Sequence, residues 1–276
     1  LASDPGSDPG PLKPGATLEQ LLTDAGLKYT GGENGVFDLA YEGDVTVRAH
    51  QVGELMRLVV YLGRLKSGDG ELALQFNYTD PLGRLAVDGD GDLCWEAQVP
   101  MSFVTPKYLR MAADAAATQV GRWGEVIRGA ELDTPDSLYP SGDKEQLTAK
   151  LQTILDDSEM KYEREGESFE MPYDNDISVY VGIWHGLAVF SSFTGGMPGD
   201  DEDGTAAAAI AMLERNYDDP LGRLSLDEYN DVTWEAQIPM DYLTSDYVSI
   251  VASVGTAQAE SYIEQFGRIP FNEESD

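Results

Sequence analysis

The sequence is poor in the residues that build reactive or metal-binding centres. It holds one cysteine, Cys94, and two histidines, His50 and His185, in 276 residues. A single cysteine excludes an intramolecular disulfide and leaves the redox compartment undetermined. Neither histidine sits in a metal-ligand spacing such as His-Glu-x-x-His, so both read as solvated or partly buried side chains. Basic residues are scarce: 18 Lys and Arg face 50 Asp and Glu, for a net charge of −32. A polyanion binds by releasing counterions to a basic surface, which argues against nucleic acid as a partner. Anionic membranes are disfavoured for the same reason. No apolar run approaches the roughly 18–20 residues that cross a bilayer, so no transmembrane segment is expected. There is no glycine-rich phosphate loop and no Ser-His-Asp set at a usable spacing, and no cofactor or metal is expected.

What is present is enough to fold. The chain is 42% hydrophobic and 9% aromatic, which suits packed cores rather than disorder. Three readings of its acidity stand: a solvated surface, adaptation to high salt, or an acidic face for a basic partner. Residues 1–15, with Ser3-Asp4-Pro5-Gly6-Ser7-Asp8-Pro9-Gly10, form a Pro/Gly/Asp tract expected to be flexible. Because the first residue is Leu1 and not Met, an N-terminal segment is expected to have been processed or trimmed, leaving a cytoplasmic or an exported location open.

The dominant feature is an internal repeat. Asn77-Tyr78-Thr79-Asp80-Pro81-Leu82-Gly83-Arg84-Leu85 recurs as Asn216-Tyr217-Asp218-Asp219-Pro220-Leu221-Gly222-Arg223-Leu224. Trp95-Glu96-Ala97-Gln98-Val99-Pro100-Met101 recurs as Trp234-Glu235-Ala236-Gln237-Ile238-Pro239-Met240. Both pairs share an offset of 139, and from Asn77 to Met101 sixteen of 25 positions are identical. Gene duplication accounts for this. Upstream, around Tyr41–Val47, the offset falls to 132, so the second copy carries about seven extra residues, expected in the acidic Gly-rich loop around Gly195–Gly204. The organisation reads as a flexible tract 1–15, a first module 16–128, a linker 129–143 and a second module 144–270.

Each module opens with an amphipathic helix, capped in the first copy by Thr17 and stopped by Gly26. Alternating segments follow at Val36–Ala40, Val45–Val47 and Leu58–Leu62, and in the second copy at Ser168–Met171, Ile177–Ile183 and Leu187–Phe193. A second helix is predicted near Glu71–Tyr78 and Thr205–Tyr217, then a turn and a hairpin. Pro100 and Pro239 end the last strand. Thr105-Pro106 caps a closing helix whose stripe runs Leu109, Ala112, Ala113, Ala116, Val120, Trp123 and Ile127. The order α-β-β-β-α-β-β-α gives an α+β module, an antiparallel sheet packed with helices.

That order, with Asn77–Leu85 and Trp95–Met101 and their counterparts Asn216–Leu224 and Trp234–Met240, resembles the YbjN family, a bacterial family with a type III secretion chaperone-like fold. Asp80 and Asp219, before the proline, depart from the usual apolar or aromatic residue there. The resemblance implies a non-catalytic, protein-binding role, chaperone-like or regulatory. Related secretion chaperones act as homodimers around an extended client, and a fused pair would imitate that dimer within one chain.

Candidate residues follow from the repeat. Arg84, Arg223, Trp95 and Trp234 are the candidate binding residues for a protein client, which the acidity suits to being basic. For the arginines the alternative is a structural bond to the turn, and for the tryptophans a place in the core. Asp80, Pro81, Gly83, Asp219, Pro220 and Gly222 are the structural turn, with Gly83 and Gly222 expected to supply a positive φ. Asp88, Asp90 and Asp92 resemble the start of an EF-hand loop, but Leu93 and Val99 stand where glycine and the bidentate glutamate belong, so a hairpin turn is favoured over weak calcium binding. Glu96 and Glu235 are the candidate carboxylates of the rival reading, an enzyme of unknown substrate; their alternation with apolar neighbours reads as an outward face. An envelope-associated structural domain is the third reading.

Overall fold

The computed structural model describes residues 16–66, 68–130, 142–199, 201–227 and 229–270. The expected tract 1–15 and most of the linker, 131–141, lie outside them.

The N-terminal half runs α1 (Leu18–Asp24), β1 (Tyr29–Gly31), β2 (Val36–Ala40), β3 (Thr46–Val52), β4 (Leu55–Arg64), α2 (Gly70–Thr79), β5 (Arg84–Val87), β6 (Asp92–Pro100) and α3 (Pro106–Val126). The C-terminal half repeats it as α4 (Lys144–Asp157), β7 (Glu163–Glu165), β8 (Ser168–Pro172), β9 (Ser178–Trp184), β10 (Leu187–Gly196), α5 (Glu202–Asp218), β11 (Arg223–Leu226), β12 (Asp231–Pro239) and α6 (Ser245–Phe266). The α+β class holds. Each half contributes one six-stranded antiparallel sheet, ordered β1-β2-β3-β4-β6-β5 and β11-β12-β10-β9-β8-β7. Each sheet has one strand more than the periodicity resolves, because β1 and β7 are three-residue edge strands, too short to show a period.

Capping follows the sequence. The Thr17 hydroxyl accepts from the Gln20 amide at 3.2 Å and Thr105 from the Tyr108 amide at 3.1 Å, with Pro106 in the first turn of α3. α3 and α6 lie across β4 and β10 and carry the core with Leu109, Ala112, Trp123, Val248 and Val251. Two expected stripe members, Val120 and Ile127, are exposed; Val126 is buried in their place.

The seven extra residues are not in the loop. β4 and β10 match at an offset of 132, and the connections to the next helix, 65–69 and 197–201, are equally long. The surplus is at the N-terminus of α5, which has 17 residues to the 10 of α2, close to two added turns. Asp201 caps the lengthened helix, its carboxylate accepting from the Gly204 amide at 2.8 Å. The acidic stretch thus serves as a helix start, favourable at the positive end of the dipole.

The two halves meet through α2, α5, β5 and β11. Each of these helices packs more extensively on the other half's strand than on its own, α2 on β11 and α5 on β5. At Gly70 an added Cβ would lie 3.1 Å from the Cβ of Ala209, its own counterpart in the repeat.

Candidate functional site at the junction of the two halves

The duplicated turn sits at the junction, and its contacts are reciprocal. The Asn77 side-chain amide donates to its own half's Leu85 carbonyl at 3.1 Å and to Leu224 across the junction at 3.3 Å. Asn216 does the mirror, to Leu224 at 3.0 Å and Leu85 at 3.3 Å. The Leu82 amide donates to Gln237 Oε1, and the Leu221 amide to Gln98 Oε1, both at 3.3 Å. Arg84 Nη1 donates to the Gly222 carbonyl and Arg223 Nη1 to that of Gly83. Rings repeat the pattern: Phe103 stacks on Tyr247 with centroids 4.5 Å apart, and Tyr108 meets Tyr242 edge-on at 5.1 Å. Such self-complementary pairs are the signature of an approximate two-fold interface.

This placement corrects several expectations. Arg84 and Arg223 are each 4% exposed and Trp95 and Trp234 are fully buried, so none presents a surface to an outside molecule. The arginines bond turn carbonyls of the opposite half, the tryptophans fill the cores. Gly83 and Gly222 do not adopt positive φ; Leu82 and Leu221 do, at 71° and 66°. The glycines answer a close approach: a Cβ on Gly83 would come within 2.0 Å of the Trp95 ring, and one on Gly222 within 2.1 Å of the Trp234 ring. Pro81 is buried and Pro220 exposed. The Trp95 indole donates to buried Asp80 at 2.7 Å, while the Trp234 indole donates to Gln258 and Asp219 pairs with Arg215 at 3.1 Å. Burial pushes the Asp80 carboxyl above its usual range, opposed by the Arg122 guanidinium that pairs with it.

Glu96 and Glu235 do not face outward. They are 0% and 5% exposed, because the second face of each last strand is covered by the other half. Their surroundings differ. Glu96 takes two guanidinium groups: Arg84, with Nε at 2.7 Å, and Arg57, with Nε at 3.2 Å. Gln98 adds a third donor at 3.0 Å. Arg57 also donates to the Tyr217 carbonyl at 3.1 Å and lies 4.6 Å from the centre of the Tyr217 ring. Glu235 receives Arg223 at 3.3 Å and the Ser225 hydroxyl at 3.4 Å. Burial holds the Glu235 carboxyl above its ordinary value, more than Arg223 lowers it.

The remaining candidates have local roles. Asp88 accepts from the Asp90 and Asp92 amides at 3.0 Å, and Asp227 does the same in the second hairpin, from Tyr229 at 2.9 Å and Asp231 at 2.8 Å. These carboxylates shape turns. Cys94 is buried with its thiol on the Ala86 carbonyl at 3.5 Å, and burial pushes its pKa up, away from nucleophilic use. Burial lowers the pKa of His50, and His185 occupies the β9–β10 turn at φ 45°. No helix among the described residues is long and apolar enough to cross a membrane.

Sequence reasoning, which expects a client on exposed sheet faces or in a groove between the modules, locates neither of two features. The first is a groove of about 810 Å³ between the halves, walled by Leu55, Met101 and Val104 on one side and Leu221, Ile250 and Val254 on the other. The second is a cavity of about 380 Å³ against β9, β10 and β12, reaching Glu235. Neither has a signal in one sequence, since each is made by residues of both halves.

No family model matches the chain, and no curated protein does. Among solved structures, the Yersinia pestis type III secretion chaperone SycH, in complex with a stable fragment of YscM2, is similar at 17% identity and a TM-score of 0.31, over 38% of this chain and 95% of its own. The HopA1–SchA chaperone–effector complex is similar at 14% identity and a TM-score of 0.34, over 44% and 96%. The ExsC–ExsE complex gives 14%, 0.35, 45% and 95%. Each neighbour therefore spans nearly its full length on less than half of this chain.

Proposed function

We propose that the chain is a non-enzymatic protein-binding module, chaperone-like or regulatory, in which two YbjN-like modules, 16–128 and 144–270, pair as a dimer would. The reading rests on one observation, the apolar groove between the halves. Leu55, Met101, Val104, Leu221, Ile250 and Val254 come from both halves, so the groove exists only when they pair. Its volume and apolar walls suit a stretch of client chain. The secretion chaperones among the structural neighbours are held with protein fragments or effectors, which is in keeping with this role. The net charge of −32 favours a basic client.

Ile250 is 39% exposed in the groove wall, so a charge there leaves the core alone. Capture from lysate of the source organism at its native salt, with wild type and Ile250→Asp side by side, tests the proposal. A stoichiometric protein bound by the wild type and lost at least tenfold in the variant supports it. No partner above background, or equal capture by an Ile250→Asp chain with an unchanged melting temperature, removes it.

A further inference from the structure

The repeat offers an internal control, because each residue near Glu96 has a counterpart near Glu235. Arg57, opposite Gln98 in the β4–β6 pairing, corresponds to Val189, opposite Gln237 in the β10–β12 pairing. Val59, Ala86 and Cys94, an apolar cluster under Tyr217, correspond to Ser191, Ser225 and Thr233. Tyr217 itself corresponds to Tyr78. Thus the C-terminal half lacks the second guanidinium and carries three hydroxyls where the N-terminal half carries three apolar side chains. The acid is kept.

The space did not close. The 380 Å³ cavity is lined by Val189, Ser191, Glu235, Gln237 and Tyr78, the counterparts of the Arg57 surroundings, with Tyr180 and Trp184 completing the walls. Thr233, on the same face of β12 as Glu235, has a buried hydroxyl without a hydrogen-bond partner. The cation at the rim, Lys144, is paired with Glu167 in solvent. One buried carboxylate with hydroxyls, an amide and aromatic walls is too few oxygen charges for a divalent metal but suits a planar cation.

We infer that this cavity takes the side chain of an arginine from the protein partner, its guanidinium on Glu235 as that of Arg57 sits on Glu96. The inference rests on the protein-binding reading and deepens it. The partner's guanidinium reaches the Oε atoms of Glu235 beside Gln237, and its stem lies along Val189 and Trp184. The net charge of −32 favours the approach of a cationic segment. An arginine fits better than a lysine because its fork reaches acid and hydroxyl together and its plane stacks on an aromatic wall.

The test is a titration of the full 15N-labelled chain with N-acetyl-arginine methylamide, with the neutral citrulline analogue as control. Saturable shifts at the Trp184 indole and the Val189 and Ser191 amides, at least tenfold weaker with citrulline, are expected. Val189→Arg supplies the missing guanidinium in cis and abolishes them; Glu235→Gln weakens binding at least tenfold. Arg57→Val opens the mirror site and raises the stoichiometry from one to two. No saturable shift, equal shifts with citrulline, or shifts that persist in both Val189→Arg and Glu235→Gln would overturn the inference. If these fail while Ile250→Asp still abolishes client capture, the arginine pocket falls and the groove reading stands.

Discussion

The two halves differ where they would be expected to be most alike. Both keep the turn, the arginine that crosses the junction and the acid on the last strand. The N-terminal half closes that acid off with Arg57, whereas the C-terminal half leaves it at a cavity beside Val189. Both acids keep the arginine of their own turn, so at these acids the duplicated interface differs in the second guanidinium, present at Glu96 and absent at Glu235.

The largest effect should come from breaking the closed side. Glu96→Ala leaves the Arg57 and Arg84 guanidinium groups without their acid, a loss of about 3–5 kcal/mol in urea denaturation. Glu235→Ala strands one guanidinium and should cost clearly less. Equal losses would erase the contrast between the halves.

That contrast could not be read in the sequence, although much of the fold could. The repeat, the hairpins and the Thr105-Pro106 helix start are local patterns that lie where expected, and the closing stripe does so apart from Val120 and Ile127, which are exposed. Glu96 and Glu235 read as an outward face because alternation implies a single buried face. In β12 all nine residues are buried, since the other half covers the second face, and period two carries no information there. Arg84 and Arg223 find their partners 138 and 140 residues away, beyond any local pattern. The glycines of the turn were recognisable as required; that the reason is a tryptophan ring rather than a positive φ needs the packing.

Gly83→Ala and Gly222→Ala give the next effect. Each places a methyl on an indole that cannot withdraw, so each should cost about 1–3 kcal/mol, read from the denaturation midpoint. The two losses should be similar, because the tryptophans occupy matching places. A loss in one half alone would mean the cores are less alike than their geometry.

The pH dependence of stability sharpens the comparison further. The Glu235 carboxyl titrates higher in the folded protein than the ordinary value of 4.5, so the folded state binds the proton more tightly than the unfolded chain. Its contribution is present at low pH and is lost as pH rises from 4.5 through the raised value. The slope is at most about 1.4 kcal/mol per pH unit, the limit for one proton. Glu235→Gln should flatten this part of the curve; an unchanged curve would show that folding does not raise the Glu235 pKa.

The smallest effect contrasts the junction helices. Asp201→Ala removes the side-chain cap of α5 and should cost about 1 kcal/mol. Asp69→Ala at the start of α2, where no side-chain cap bond is made, should cost little. Thermal melts of the two variants read the difference.

Pairing of the halves within one chain is the claim on which groove and cavity both depend. The most direct test is to co-express residues 1–130 and 131–276 as separate chains, with a tag on one alone. The account predicts that the untagged half co-purifies at one to one and that the pair unfolds in a single transition. Two folded halves that elute separately at micromolar concentration would contradict it.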